Sequence, residues 1–127
     1  MAYPTGFRYT KEHEWIDVQG RRGRVGITDH AQSELGDVVF VELPTVGKVV
    51  KRGEALATVE SVKAVSEVYA PASGKVLEVN ATLGGAPEAV NKDPHGTGWL
   101  VVLELADPSE TAGLLDAAAY ERFIAAS

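Results

Sequence analysis

Two stretches of the chain repeat each other and predict its fold. The first copy is VELPTVGKVV at residues 41–50, and the second copy is VYAPASGKVL at residues 68–77. They align without a gap at an offset of 27 residues, and five of the ten positions are identical. A solenoid needs at least about three repeats. Two strand-turn-strand units therefore favour a quasi-two-fold β-sandwich or flattened barrel, with chance identity among common Val, Gly and Pro residues as the alternative.

The residues on either side of the two copies predict further short strands and one helix. Strands over 14–18 and 22–27 flank the turn at 19–21, which predicts an N-terminal hairpin. Thr28 and Asp29 can cap a short helix that runs to Leu35 and stops at Gly36. The other predicted strands are 38–43, 48–50, 55–60, 64–69, 75–79 and 99–105, with a helical turn at 87–90.

The C-terminal residues predict helices that pack beside the sheets. Asp107 is suited to the N-cap, Pro108 to the first helical position and Glu110 to the third. Asp116 can cap a second helix. An apolar stripe for one or two short helices would come from Leu114, Leu115, Tyr120, Phe123 and Ile124.

Length and composition exclude several classes of protein. A chain of 127 residues predicts one domain over 1–127, and 45% hydrophobic with 24% charged residues is typical of globular proteins. A net charge of -6 argues against a nucleic-acid binder. The absence of cysteine excludes thiol chemistry, and no apolar run is long enough to span a membrane. The first residues resemble no targeting segment. We expect a cytoplasmic protein, with a mature organellar form still open.

One lysine stands out between the two copies, within ESVKAVSE at residues 60–67. Strand-forming residues on both sides require the chain to reverse near Val62 and Lys63, although no Asn-Gly or Asp-Gly marks a tight turn. The 27-residue offset superimposes Lys63 on Gly36, which also lies between elements. A lysine at a hairpin tip is reachable by a modifying enzyme, and the alternative is an ordinary surface lysine.

Several motifs resemble those of glycine cleavage system H proteins. ESVKA at 60–64 followed by YAPASG at 69–74 resembles the lipoyl-attachment hairpin of that family. The resemblance covers residues 7 to 124 in the family's order, with His95 where members often have Tyr. The other matching segments are YTKEHEW at 9–15, VGITDHAQ at 25–32, LGDVVFVELP at 35–44 and NKDPHGTGWL at 91–100.

The resemblance implies a mainly β, lipoyl-type (barrel-sandwich hybrid) fold with quasi-two-fold symmetry, an extra N-terminal hairpin, a short helix near 29–35 and C-terminal helices. It implies a carrier in glycine catabolism and one-carbon metabolism, and not an enzyme. Lipoate, attached to Lys63 by a lipoylating enzyme, would take the aminomethyl group of glycine from glycine decarboxylase (P protein) to the aminomethyltransferase (T protein). Dihydrolipoamide dehydrogenase (L protein) would then reoxidise it.

The resemblance also suggests roles for three carboxylates. Glu14 and Glu67 would pair with the ammonium of the loaded arm, since a carboxylate is the natural partner of a primary cation. The lipoylating enzyme would recognise Glu60 beside Lys63. Ordinary surface carboxylates are the alternative for Glu14 and Glu67. We expect no metal site, because the three histidines are scattered and lack paired carboxylates at ligand spacing.

Three other functions are alternatives to the carrier. A relay protein that passes lipoyl or octanoyl groups to other lipoyl domains would have the same motifs. A biotinyl carrier domain is disfavoured, because that family flanks its lysine with methionines and the single methionine here is Met1. For an interaction module without lipoate, the intact ESVKA motif would have no purpose.

Overall fold

Two antiparallel sheets form the protein in the computed structural model, which describes residues 3–126. The larger sheet has the strand order β1-β2-β3-β9-β8-β5, and the smaller has the order β4-β6-β7. The predicted domain over 1–127 includes residues 1, 2 and 127, which lie outside the described residues. The strands are β1 Arg8–Tyr9, β2 Glu14–Gln19, β3 Arg22–Ile27, β4 Val38–Glu42, β5 Val49–Val50, β6 Ala55–Ser61, β7 Val65–Tyr69, β8 Gly74–Val79 and β9 Val101–Leu105.

The two sequence copies are related by a local two-fold axis. Each copy starts in the smaller sheet, at β4 or β7, and ends in the larger sheet, at β5 or β8. Val49 pairs with Lys75, and the symmetry-related contact joins Lys48 to Val76, whose N–H donates to the Lys48 carbonyl at 2.8 Å. The predicted quasi-two-fold sandwich is therefore confirmed, and so is the N-terminal hairpin of β2 and β3.

Three α-helices and two 3-10 helices connect and flank the strands within residues 3–126. Helix α1 begins and ends as predicted, because the Thr28 hydroxyl accepts the Ala31 N–H at 3.2 Å and Gly36 has a φ of 80°. The α-helices are α1 Asp29–Leu35, α2 Ala89–Lys92 and α3 Ala117–Ala126, and the 3-10 helices are Ala81–Gly84 and Pro108–Gly113.

The C-terminal region differs from the prediction in one helix type. Asp107 accepts the Ser109 N–H at 3.1 Å as an N-cap, but the segment that follows is a 3-10 helix. Glu110 does not complete a capping box, because its carboxylate accepts the Ser73 N–H at 2.7 Å in the turn before β8. Asp116 caps α3 as expected and accepts the Ala119 N–H at 2.8 Å.

Smaller differences concern element ends and one unpredicted strand. Strand β9 begins at Val101, because Trp99 N–H donates to the Gly96 carbonyl and keeps that residue in a turn. The helical turn lies at Ala89–Lys92, slightly beyond the predicted position. Strand β1 was absent from the prediction, since two residues are too few to show a periodic pattern.

Two apolar clusters stabilise the fold. One fills the space between the sheets, and the other packs aromatic side chains of the N-terminal region against α3. In the second cluster, Tyr9 and Tyr120 stack with ring centroids 4.8 Å apart. This packing places the start of β2 beside α1 and β7, where the site lies. Within residues 3–126, no helix combines the length and apolar character needed to cross a membrane.

Candidate functional site

The tip of the β6–β7 hairpin places Lys63 in solvent. The Ser61 hydroxyl closes the turn: it accepts the N–H groups of Ala64 at 3.1 Å and Lys63 at 3.3 Å. It also donates to the Ala64 carbonyl at 3.2 Å. A serine side chain that bonds to the backbone two or three residues later is an alternative to Asn-Gly turn chemistry. Ser61 therefore explains a reversal that the sequence required without an obvious turn signal.

A second set of hydrogen bonds fixes this tip against the connection between α1 and β4. Val62 N–H donates to the Asp37 carbonyl at 3.0 Å. The Asn91 side chain spans the residues on either side of Asp37, donating to the Gly36 carbonyl at 2.9 Å and accepting the Val38 N–H at 2.8 Å. Asn91 thus determines the position of the carbonyl that holds the tip. Sequence reasoning missed this residue, because its partners lie more than fifty positions away.

A cleft of about 310 Å³ begins beside Lys63 and follows the open edge of β7. We name it the β7 cleft. Its walls come from β7, the start of β2 and helix α1, and its floor is apolar. The lining residues are Glu12, His13, Glu14, Ile27, Ala31, Glu34, Leu35, Val59, Ala64, Val65, Ser66, Glu67 and Val68.

Glu14 lies buried in the wall of this cleft, with only 1% of its surface exposed. Its carboxylate accepts the Thr10 hydroxyl at 2.5 Å and the Tyr69 N–H at 3.0 Å. Burial raises the pKa of Glu14, while these two hydrogen bonds oppose the shift. The surface-carboxylate alternative is wrong for Glu14. Among the ion pairs of residues 3–126 none involves Glu14, so this buried carboxylate is suited to receive a cation.

The other two predicted carboxylates lie in different places. Glu67 is exposed and lines the β7 cleft together with Glu14, so the fold brings these two residues to one site. Glu60 is half-buried and pairs with Phe40 and Val65 across the smaller sheet, outside the cleft lining. The three carboxylates therefore do not form a single cluster.

His13 is a cleft residue that sequence reasoning did not assign to the site. Its φ of 71° is unusual for a residue with a side chain, and its Nδ1 lies 2.7 Å from the Tyr120 hydroxyl. Burial lowers the pKa of His13, and the neighbouring His30, with ring centroids 4.7 Å apart, adds to that effect. This shift favours the neutral form of the imidazole. Within residues 3–126, no group of acidic and histidine side chains is suited to hold a metal ion.

The length of the β7 cleft determines what can reach Glu14 from the hairpin tip. Tyr69, whose N–H bonds to Glu14, lies six positions after Lys63, and the four steps of β7 from Val65 to Tyr69 alone span about 13 Å. A lysine side chain extends only roughly 6 Å from Cα to Nζ. Lys63 therefore needs a long flexible group on its amine to bring a cation to Glu14. Its exposed amine and the apolar cleft floor fit a lipoyl group.

The comparisons with known proteins agree with this geometry. The model of the family described as "Glycine cleavage H-protein" matches residues 7–127. The chain belongs to the glycine cleavage H-protein family. A glycine cleavage system H protein of Acidobacterium capsulatum is 56% identical over 124 residues, which are 98% of this chain and 95% of the relative. One of Symbiobacterium thermophilum is 58% identical over 120 residues, which are 94% of each chain.

A solved structure of this family has the same fold. The crystal structure of a glycine cleavage system H protein from Mycobacterium marinum matches with a TM-score of 0.88 and 41% identity. The match covers 97% of this chain and 99% of that one. The predicted H-protein family and lipoyl-type sandwich are thus confirmed. Family membership supports a lipoyl carrier role in glycine cleavage for this chain.

Proposed function

We propose that Lys63 is the lipoyl attachment site of a carrier that serves glycine cleavage. The chain would receive the aminomethyl group of glycine at the P protein, deliver it at the T protein and return to its starting state at the L protein. The observation that supports this most strongly is the position of Lys63: an exposed amine at a fixed hairpin tip, at one end of a cleft whose wall contains a buried carboxylate.

The chain itself contributes position and surroundings. Ser61 and the Asp37 carbonyl fix the tip at the surface, where Lys63 is exposed and can enter the active site of another protein. Lipoate, once attached, supplies a dithiolane that binds the one-carbon unit and exchanges electrons. Because cofactors perform the chemistry and proteins position them, no catalytic residue of this chain is required. A tethered group also reaches each partner at high effective concentration.

The β7 cleft would protect the loaded arm between visits to the partners. Its apolar floor keeps water from an arm that lies in it. Glu14 and Glu67 would pair with a primary ammonium on that arm, and the low polarity around Glu14 strengthens such a charged hydrogen bond. Binding of the cation would lower the pKa of Glu14 back towards its ordinary value.

The remaining parts of the proposal concern recognition and location. Glu60 lies on the strand that leads to Lys63, three residues before it, and we propose that the lipoylating enzyme recognises this carboxylate. We also propose that the protein acts in the cytoplasm of a bacterium.

Mass spectrometry tests the attachment site. The chain is produced in cells that can lipoylate proteins, and we expect one lipoyl amide, mapped to Lys63 and absent from Lys63→Arg. Lys75→Arg is the matched control, because Lys75 is also exposed and lies outside the hairpin tip. A wild-type chain that stays unmodified under these conditions, or is modified elsewhere, would contradict the proposal.

A reconstituted reaction separates the carrier from the lipoyl relay. We expect the lipoylated chain to support exchange of bicarbonate into glycine with the P protein, and Glu14→Gln to weaken it. If the modified chain fails in exchange but donates lipoyl groups to other lipoyl domains, it is a relay.

A further inference from the structure

Exposed apolar side chains surround the tip of the β6–β7 hairpin. Within residues 3–126, seven large apolar side chains are exposed, and four of them lie at or beside this tip. We name these four the apolar collar: Val39, Phe40, Val62 and Val65. The other three are Val46, Val49 and Tyr69.

A β-bulge in β4 produces half of the collar. Val38 pairs with Ser61 and Phe40 pairs with Glu60, so Val39 is an extra residue in this step. Successive side chains of a regular strand point to opposite faces of a sheet. Here Val39 and Phe40 are both turned to solvent, with 51% and 53% of their surfaces exposed. Bulges often lie next to functional sites, where they redirect a side chain.

The second half of the collar lies on the hairpin itself. Val62 precedes Lys63 and is 70% exposed, and Val65 begins β7 and is 65% exposed. Phe40, Glu60 and Val65 are directly opposite one another on adjacent strands, so their side chains share the outer face of the smaller sheet. Within residues 3–126, Glu60 has no ion-pair partner.

We infer that the apolar collar is the docking surface for the enzyme that attaches lipoate to Lys63. That enzyme would surround its active-site opening with apolar side chains and place a basic group opposite Glu60. This inference rests on the proposed attachment of lipoate at Lys63 and adds the surface by which the chain is recognised.

Because the Lys63 side chain is short, the enzyme that modifies it must contact the collar. Before modification its amine extends only roughly 6 Å from the backbone, so the enzyme's opening must come down over the tip. Val62 and Val65 lie one and two residues from Lys63, and Phe40 is two strands from Val65. These side chains therefore fall inside the contact area. An apolar centre with a charged group in it is the arrangement that gives affinity and orientation at an interface.

Rates of lipoate attachment compare two collar residues with two exposed valines outside the collar. Unmodified wild type, Val65→Ser and Phe40→Ser are incubated with lipoate, ATP and an enzyme that activates the lipoate carboxyl as its adenylate. The Lys63 amine displaces AMP from this adenylate to form the amide, and kcat/KM for this modification is measured. The controls are Val49→Ser and Val46→Ser, which are 71% and 57% exposed and lie outside the collar. All four substitutions are at exposed positions, and melting temperatures check that each variant is folded.

We expect each collar variant to lose about tenfold in kcat/KM, mainly through KM, because side chains central to an interface often contribute that much. The controls should equal wild type. A titration of each unmodified chain with the enzyme, followed by heat of binding, should show the same order of affinities. Equal kcat/KM and equal affinity for collar and control variants would overturn the inference while leaving Lys63 as the attachment site. A wild-type chain that the enzyme does not modify would instead contradict the proposed function.

Two other occupants of the collar are further outcomes that would overturn the inference. If a second copy of the chain occupied the collar, the sedimentation of wild type would depend on protein concentration. Phe40→Ser would then abolish that dependence without changing the rate of lipoate attachment to Lys63. If the chain's own lipoylated arm occupied the collar, the collar variants would show unchanged lipoate attachment. Only the lipoylated form of each variant would then differ from lipoylated wild type.

Discussion

Asn91 should determine how firmly the hairpin tip is held, although it lies far from Lys63 in sequence. Its side chain makes three hydrogen bonds: to the Gly36 carbonyl at 2.9 Å, from Val38 N–H at 2.8 Å and to the Gln32 side chain at 3.0 Å. Asn91→Ala removes all three. A net contribution of about 0.5–1.5 kcal/mol each, reduced by access of water to these half-buried groups, predicts a loss of about 2 kcal/mol.

The loss should be local to the tip. The carbonyl that accepts Val62 N–H belongs to Asp37, between the two backbone groups that Asn91 holds. If the connection loosens by about 2 kcal/mol, the Val62 amide should exchange with solvent about 30-fold faster. Hydrogen exchange by NMR measures this rate, and urea unfolding measures the global free energy of unfolding.

Asn80→Ala is the matched control for this experiment. Asn80 also makes three side-chain hydrogen bonds, to the carbonyls of Thr97 and Trp99 and from the Thr82 hydroxyl. Its removal should cost a similar global free energy and leave exchange of the Val62 amide unchanged. Equal exchange of Val62 in the two variants would refute the reasoning, because Asn91 would then act as an ordinary stabilising residue.

Three further predictions test the site and the repeat. Glu14→Gln should raise the free energy of unfolding at neutral pH. Burial raises the pKa of Glu14, so the stability that its protonation gives to the wild-type fold is full at low pH and is lost as pH rises through that pKa. Urea titrations from about pH 4 to 8 should therefore show the advantage of the variant vanishing towards acid, and an advantage that grows towards acid would contradict this. Gly74→Ala should cost at least about 3 kcal/mol in urea unfolding, because a Cβ there would meet the Glu104 carbonyl oxygen of β9. Gly47→Ala, with open space but a φ of 97°, should cost only about 1–2 kcal/mol, and equal losses would show that the backbone contact is unimportant. Ser61→Ala should cost about 1 kcal/mol and speed amide exchange at the tip, whereas Ser61→Thr should retain the turn; unchanged exchange in the alanine variant would rule out the hydroxyl.

The predicted strands and turns depend on local signals that survive in any context. Proline and glycine recur at the same places in the two copies, and there the chain passes from one sheet to the other. Thr28, Gly36 and Asp116 end or begin helices through hydrogen bonds and backbone angles of their own segments. The position of Lys63 between the copies follows from the same local reasoning.

Contacts between distant segments could not be predicted from local sequence signals. Glu14 is polar and begins a strand, which indicates exposure, yet packing against β7 buries it with a Tyr69 N–H 55 residues away. The contact of His13 with Tyr120 spans 107 residues. The bulge at Val39 results from pairing with β6 and has no signal in β4 alone.

The sequence by itself thus determined the repeat, the strand-rich sandwich and the reversal at Lys63, because periodicity, caps and turn residues act within a few positions. Only the tertiary structure decided which carboxylate is buried, which side chains form the cleft and which apolar residues remain in solvent. Those outcomes depend on which surfaces of distant strands and helices come to lie against each other, and burial is a property of that packing.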